Sequence, residues 1–261
     1  MKDILISALR KGGKILLDYF DKPLTVLQKE SMSSVVTEAD LKSDQAIVSF
    51  IAEKYPQHNI ISEEGGFRNK QSHYTWVIDP LDGTSNFAAN IPWFGVLITL
   101  FEDNIPVLGG AYLPYYDMLY FARKGKGAFR NNKPLNTTSF RELKDSLIAF
   151  SVDYTEDDAF LAKGIDLLKY IIKNSRNIRS TNSLIDFIYV AEGKFGGCIN
   201  MFTKIWDISG LGLIKSESGG RMVDLSGNEI KYCISSDIIK KNFPVIAGSK
   251  KIVRSLLKAI S

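Results

Sequence analysis

Four apolar runs between residues 74 and 123 constrain this fold more than any other feature of the chain. They read YTWVID, WFGVLITLF, IPVLGGAYL and DMLYFARK, and the turn residues Asp103-Asn104 and Pro114-Tyr115-Tyr116-Asp117 separate the last three. Apolar runs of this length, rich in β-branched and aromatic residues and broken by turn signals, predict antiparallel strands. GKGAFRNNKPL continues the pattern as a hairpin. The second half differs: SLIAFSV, NIRS, GGCIN and PVIAG read as strands, with helical stretches at 157–173, 184–192, 207–218 and 250–260. Such alternation argues for an α/β arrangement. With 261 residues and no flexible linker, the chain divides into an α+β half over 1–145 and an α/β half over 146–261, tightly joined as one globular unit.

The N-terminal stretch MKDILISALRKGGKILLDYF has apolar residues at helical spacing. Its charges exclude a signal peptide. QKESMSSVVTEAD is polar and Ser-rich, and reads as a mobile loop or hairpin. A helix is expected from Asp40, with Leu41, Ile47, Val48, Ile51 and Tyr55 on its apolar face and Pro56 stopping it. The longest apolar run, Ile91 to Phe101, is far short of a membrane span. The two cysteines, Cys198 and Cys233, form no motif and suit a reducing, cytoplasmic setting as buried or inert thiols. The two histidines, His58 and His73, stand in polar surroundings and read as surface residues, which argues against a zinc site. A net charge of +4 suits small anionic molecules. It argues against nucleic acid, since the nearest basic stretch, Arg123 to Lys133, reads better as an exposed hairpin.

Four acidic clusters interrupt these patterns: Asp40 in VVTEAD, Glu63-Glu64 in ISEEGG, Asp79 and Asp82 in DPLDG, and Asp207 in IWDISG. Alone, each has a plain structural reading: a helix capping box for TEAD, an acidic surface turn for SEEGG, a capped turn for DPLDG, a buried Trp beside a helix-capping Asp for WD. Together they suggest more. Two carboxylates three residues apart repel each other, and a divalent cation compensates; all-oxygen donors favour Mg²⁺, Mn²⁺ or Ca²⁺ over zinc. Gly83-Thr84-Ser85-Asn86 then offers backbone N–H groups at the start of a helix, a seat for phosphate. Cation donors beside a phosphate seat point to phosphoryl chemistry.

The residues DPLDGTSNF, with SEE and TEAD upstream and WDISG downstream, resemble the signature of the inositol monophosphatase family. The likeness extends over nearly the whole chain. It implies a layered αβαβα sandwich, usually a homodimer, and a Mg²⁺-dependent, lithium-sensitive phosphomonoesterase acting on a small-molecule phosphate ester. Carried over by residue, it implies a first Mg²⁺ on Glu63, Asp79 and the Leu81 carbonyl, a second on Asp79, Asp82 and Asp207, and a weaker third near Glu63. Thr84, backed by Asp40, would orient the attacking water, Gly83, Thr84 and Ser85 would take the phosphate, and Lys29 would approach from a mobile loop. The substrate side departs from the inositol pattern: Asn182, Ser183 and Leu184 replace a small-residue run, and Asn200 stands where inositol enzymes carry Glu. Lys204, Arg176 and Arg179 could meet a second phosphate, which keeps fructose-1,6-bisphosphatase and other sugar or histidinol phosphatases as alternatives. A second alternative is an RNA- or protein-binding regulatory factor on the same fold.

Overall fold

The computed structural model describes residues 1–23, 26–28, 35–137 and 142–260. The large sheet has eight strands: β3 (Asn59–Ser62), β4 (Gly66–Arg68), β5 (Tyr74–Asp82), β6 (Gly95–Glu102), β7 (Ile105–Leu113), β8 (Met118–Arg123), β9 (Ala128–Arg130) and β10 (Lys133–Leu135), in the order β10-β9-β8-β7-β6-β5-β3-β4. Every neighbouring pair is antiparallel except β3 with β5. The smaller sheet runs β12 (Asn177–Arg179), β11 (Leu147–Ser151), β13 (Gly197–Asn200), β15 (Val245–Gly248), β14 (Arg221–Asp224). A short ribbon pairs β1 (Val26–Gln28) with β2 (Val35–Thr37), so both described ends of the expected loop or hairpin are paired. Lys29 lies outside the described residues.

Strand alternation sorts the side chains into layers. On the outer face of the large sheet, Trp76, Ile78, Val96, Ile98 and Leu100 pack on Leu5, Leu9 and Leu16 of α1 (Lys2–Tyr19) and on Ile47 and Ile51 of α2 (Glu38–Lys54). Each such fully buried side chain contributes about 1.5–3 kcal/mol. The inner face, with Val77, Leu97 and Ala111, packs on α5 (Leu184–Ala191) and α6 (Ile205–Glu217), which also cover Ala149, Cys198 and Ala247 of the small sheet. Beyond that sheet lie α4 (Asp158–Asn174) and α7 (Lys250–Leu257), with Leu167, Ile171, Ile252 and Leu256 on Ile148, Ile199 and Ile246. The result is the αβαβα sandwich. Helix α6 reaches the large sheet through two glycines. A Cβ on Gly109 would lie 2.8 Å from the Gly210 Cα, so only the absence of side chains lets helix and strand approach this closely.

Several expectations are corrected. Helix α2 begins at Glu38, two residues before Asp40, because Thr37 is its cap. Leu41 is 50% exposed and off the apolar face. His58 is not a free surface residue: it accepts the Trp76 indole N–H at 3.1 Å and stacks on Tyr55 and Tyr74. Cys198 is buried and Cys233 exposed. Strand β14, in the polar stretch RMVD, was not expected. No described helix is long and apolar enough to cross a membrane.

Candidate active site

The spacing of Asp79 and Asp82 has a backbone cause. In a regular strand, residues three apart point to opposite faces. Here Asp79 pairs with Leu97 and Asp82 with Gly95, so β5 carries one residue more than β6 over this interval. That bulge offsets the alternation and turns both carboxylates to the inner side. The segment is held from both ends: the Leu81 N–H donates to Asp79 Oδ1 at 3.0 Å, and Ser43 of α2 donates to the Pro80 carbonyl at 2.9 Å. Gly83 follows at φ 84°, where a Cβ would stand 2.5 Å from the Trp93 carbonyl oxygen. It turns the chain into α3 (Thr84–Ala88), a single short helix.

Asp207 arrives from the first turn of α6, its carboxylate accepting the Lys204 N–H at 2.6 Å. Carboxylate oxygens of Asp79, Asp82 and Asp207 lie within 4.8 Å of one another. Asp82 Oδ1 also accepts the Leu184 N–H, at 2.6 Å, from the N-terminus of α5. Burial pushes the Asp82 carboxyl up to about 7, against the Leu184 bond and with help from the charges of Glu63 and Asp186. Asp79 and Asp207 are raised as well, first by burial and then by the neighbouring carboxylates, Glu63 among them.

Asp40 adjoins this group through a hydroxyl. Its Oδ2 accepts the Thr37 N–H at 2.8 Å and the Thr37 hydroxyl at 2.6 Å, closing the capping box, while Oδ1 lies 3.0 Å from Thr84 Oγ1. The same hydroxyl is 3.0 Å from the Leu81 carbonyl. Having one proton, Thr84 donates to one of these acceptors and keeps lone pairs for another donor. Burial raises the Asp40 carboxyl.

The three acids and Thr84 line a cleft of about 880 Å³ between the two sheets' ends, with Asp40 buried behind Thr84 and outside the lining. Glu63, Asp79, Leu81, Asp82, Gly83, Thr84, Asn182, Asn200 and Asp207 all border it, whereas Ser85 is exposed outside its lining. Lys204 borders it too, its Nζ donating to the Lys240 carbonyl at 3.0 Å. Arg176 and Arg179 are exposed and not part of the lining. Trp206, read as a buried residue, is half-buried on the cleft wall. Sequence reasoning missed Asp153, Phe187 and Asn242 in the lining. Asp153 had one usable signal, its place just past the end of a predicted strand.

An all-carboxylate group, crowded and held above its ordinary pKa, fits a hard divalent cation in its donor chemistry. The inositol monophosphatase family profile matches residues 1–260. The chain belongs to the inositol monophosphatase family. Within it, the Nus factor SuhB of Haemophilus influenzae is 31% identical over 264 residues, covering 100% of this chain and 95% of that protein. A fructose-1,6-bisphosphatase/inositol-1-monophosphatase of Aquifex aeolicus is 31% identical over 217 residues, covering 82% of this chain and 81% of that one. The crystal structure of the extragenic suppressor protein suhB of Bartonella henselae superposes with a TM-score of 0.88 at 28% identity, covering 99% of this chain and 97% of that one. The αβαβα fold and the family expected from the motifs therefore hold. The expectation against a nucleic-acid partner gains nothing from these relatives, two of which carry names other than that of a phosphatase.

Proposed function

We propose that this inositol monophosphatase family member is a Mg²⁺-dependent phosphomonoesterase, hydrolysing the phosphate ester of a small polyol or sugar. The observation that carries the reading is the convergence of Asp79, Asp82 and Asp207 within 4.8 Å on the floor of an open cleft. These three, with Glu63 and the Leu81 carbonyl, would hold two cations, and a third more weakly near Glu63. When bound, the cations supply Lewis acidity and lower the pKa of water. The chain's own residues do the rest. Thr84 Oγ1, with its proton committed to Asp40 or the Leu81 carbonyl, accepts from a water and orients it. Asp40, held by the Thr37 N–H and hydroxyl and 3.0 Å from Thr84 Oγ1, keeps that hydroxyl in place. Backbone N–H groups from Gly83 to Ser85 receive the phosphate oxygens as charge shifts onto them. Asn182 and Asn200 face the alcohol. The protein would act in the cytoplasm as a homodimer, with Lys29 approaching the site.

The test is phosphate release, with and without Mg²⁺, from inositol 1-phosphate, fructose 1,6-bisphosphate, histidinol phosphate, 3′-phosphoadenosine 5′-phosphate and glycerol 2-phosphate. Mg²⁺-dependent turnover of one of them is the expected result; turnover of none counts against the reading. The name Nus factor carried by the 31%-identical relative favours a second reading, a regulatory factor on the same fold. The exposed Arg123, Lys124 and Lys126 of the β8–β9 hairpin would then face the partner. Salt-sensitive RNA binding lost on replacing these three with Ala would support it.

A further inference from the structure

The cleft has an acid that none of the acidic motifs contains. Asp153 lies two residues past β11, half-buried on the cleft wall beside Tyr154. Asn182 Nδ2 donates to its Oδ1 at 2.8 Å, and among the described residues this is its one hydrogen bond. No described cation pairs with it: the Lys204 ammonium on the same cleft is bonded to the Lys240 carbonyl.

The loop that carries Asn182 is rigidly built. Asn182 itself is exposed and has φ 48°, a left-handed turn conformation that Asn tolerates, so the loop's anchoring rests on its neighbours. The Thr181 N–H donates to Asp186 Oδ2 at 3.3 Å, the Thr181 carbonyl accepts Asn86 Nδ2 at 2.8 Å, and the Thr181 and Ser183 hydroxyls lie 3.0 Å apart. Asp186 is 3% exposed, so this anchor is internal. Two residues after Asn182, the Leu184 N–H reaches Asp82. Asp153 is thus fixed, through one side-chain bond and a pinned loop, relative to the acids proposed to hold the cation.

This wall is rich in acceptors. An ionised carboxylate only accepts, and Asn182 keeps its Oδ1 as a further acceptor. Asn200 Oδ1 takes the Phe202 N–H at 2.9 Å, which leaves its amide nitrogen as a donor. The Asp153 and Asn182 side of this wall suits hydroxyl or amine groups of an alcohol and repels a second anion there, although the Lys204 ammonium, which keeps its charge in its bond to the Lys240 carbonyl, borders the same cleft. Two like charges about 6 Å apart on a partly wetted surface change affinity by about tenfold. We infer that Asp153, held by Asn182, is a specificity-determining residue that selects phosphate esters of donor-bearing alcohols and rejects substrates with a second phosphate. The inference rests on the phosphomonoesterase reading above.

The test compares fructose 1-phosphate with fructose 1,6-bisphosphate, which differ by one phosphate, at pH 8 with Mg²⁺. We expect the wild-type protein to favour the monophosphate in kcat/KM about tenfold or more. Asp153→Asn and Asp153→Ser should each erase most of that preference by lowering KM for the bisphosphate, and Asp153→Glu should retain it. Thermal unfolding of each variant identifies any that misfolds, and the remaining substitution then carries the comparison. A wild-type preference for the bisphosphate, a preference within twofold of wild type in the folded neutral variants, or a change confined to kcat overturns the inference alone. Release from a panel ester but not from fructose 1-phosphate also overturns the inference alone, whereas no release from the two fructose esters and from every panel ester overturns the phosphomonoesterase reading and this inference with it.

Discussion

Adding Mg²⁺ to the cation-free protein should raise its unfolding temperature much more at pH 8 than at pH 5. The Asp82 carboxyl moves from an ordinary 3.8 to about 7 in the folded chain, which corresponds to about 4 kcal/mol. Because the folded pKa is raised, the folded state binds more protons than the unfolded state between about pH 4 and 7. Stability without cation therefore falls as pH rises through that window. Asp79, Asp207 and Asp40 shift in the same direction. A cation must displace the Asp82 proton, so at pH 5 its affinity is about a hundredfold lower than at a pH above 7, from this one carboxyl alone. At a concentration a hundredfold above the pH 8 dissociation constant, binding stabilises by about 2.7 kcal/mol, whereas the same concentration at pH 5 gives about 0.4 kcal/mol. For a chain of this size that is a rise of about 5 °C or more at pH 8 against about 1 °C at pH 5. Differential scanning fluorimetry with and without Mg²⁺ at the two pH values reads it directly. An equal shift at both, or none at pH 8 with saturating Mg²⁺, would refute the assignment of these carboxylates to a cation.

Asp82→Asn removes one donor charge at nearly constant size, keeps an acceptor for the Leu184 N–H, and should abolish Mg²⁺-dependent phosphate release. The same variant should unfold at higher temperature than wild type at pH 8 without cation, since the raised carboxyl is gone; a drop in that temperature would count against the electrostatic argument. Thr84→Val removes the hydroxyl between Asp40 and the proposed water, and should lower kcat about a hundredfold with KM little changed, read by steady-state phosphate release. Gly83→Ala places a Cβ 2.5 Å from the Trp93 carbonyl oxygen at φ 84°, and should cost about 1–3 kcal/mol in a denaturant titration; an unchanged midpoint would contradict the backbone argument.

Much of this arrangement is legible in the residues, and the remainder has identifiable causes. The antiparallel runs from Tyr74 to Arg123 and the helices of the second half follow from periodicity. The capping box at Thr37 and Asp40 follows from local spacing. The bulge between Asp79 and Asp82 does not, because it depends on the pairing of β5 with β6, a relation between segments that no local pattern encodes. Leu41 stands seven residues before the buried Val48, close to a helical repeat, yet is 50% exposed, which the local pattern does not signal. Placing Asp207 beside Asp79 needs the close approach of Gly210 to Gly109, about a hundred positions away in the chain. Asp153 sits in no motif; only the bond to Asn182 and the cleft bring it into view.

The energetics of the acid cluster bear on the choice between enzyme and regulatory factor. Asp79, Asp82 and Asp207 each accept a backbone N–H, from Leu81, Leu184 and Lys204 respectively. A carboxylate stabilised by two or three such bonds would have its pKa depressed. Here all three are raised, by burial first, with charge from neighbouring carboxylates adding to it. The backbone thus orients the carboxylates without neutralising their repulsion. A fold that needed only an external docking surface would gain stability from apolar residues at these positions, because burying unpaired charges is costly. Retaining the unrelieved repulsion makes physical sense where a cation relieves it. On the proposed readings, a regulatory surface on the β8–β9 hairpin and a cation held by the acid cluster use different residues.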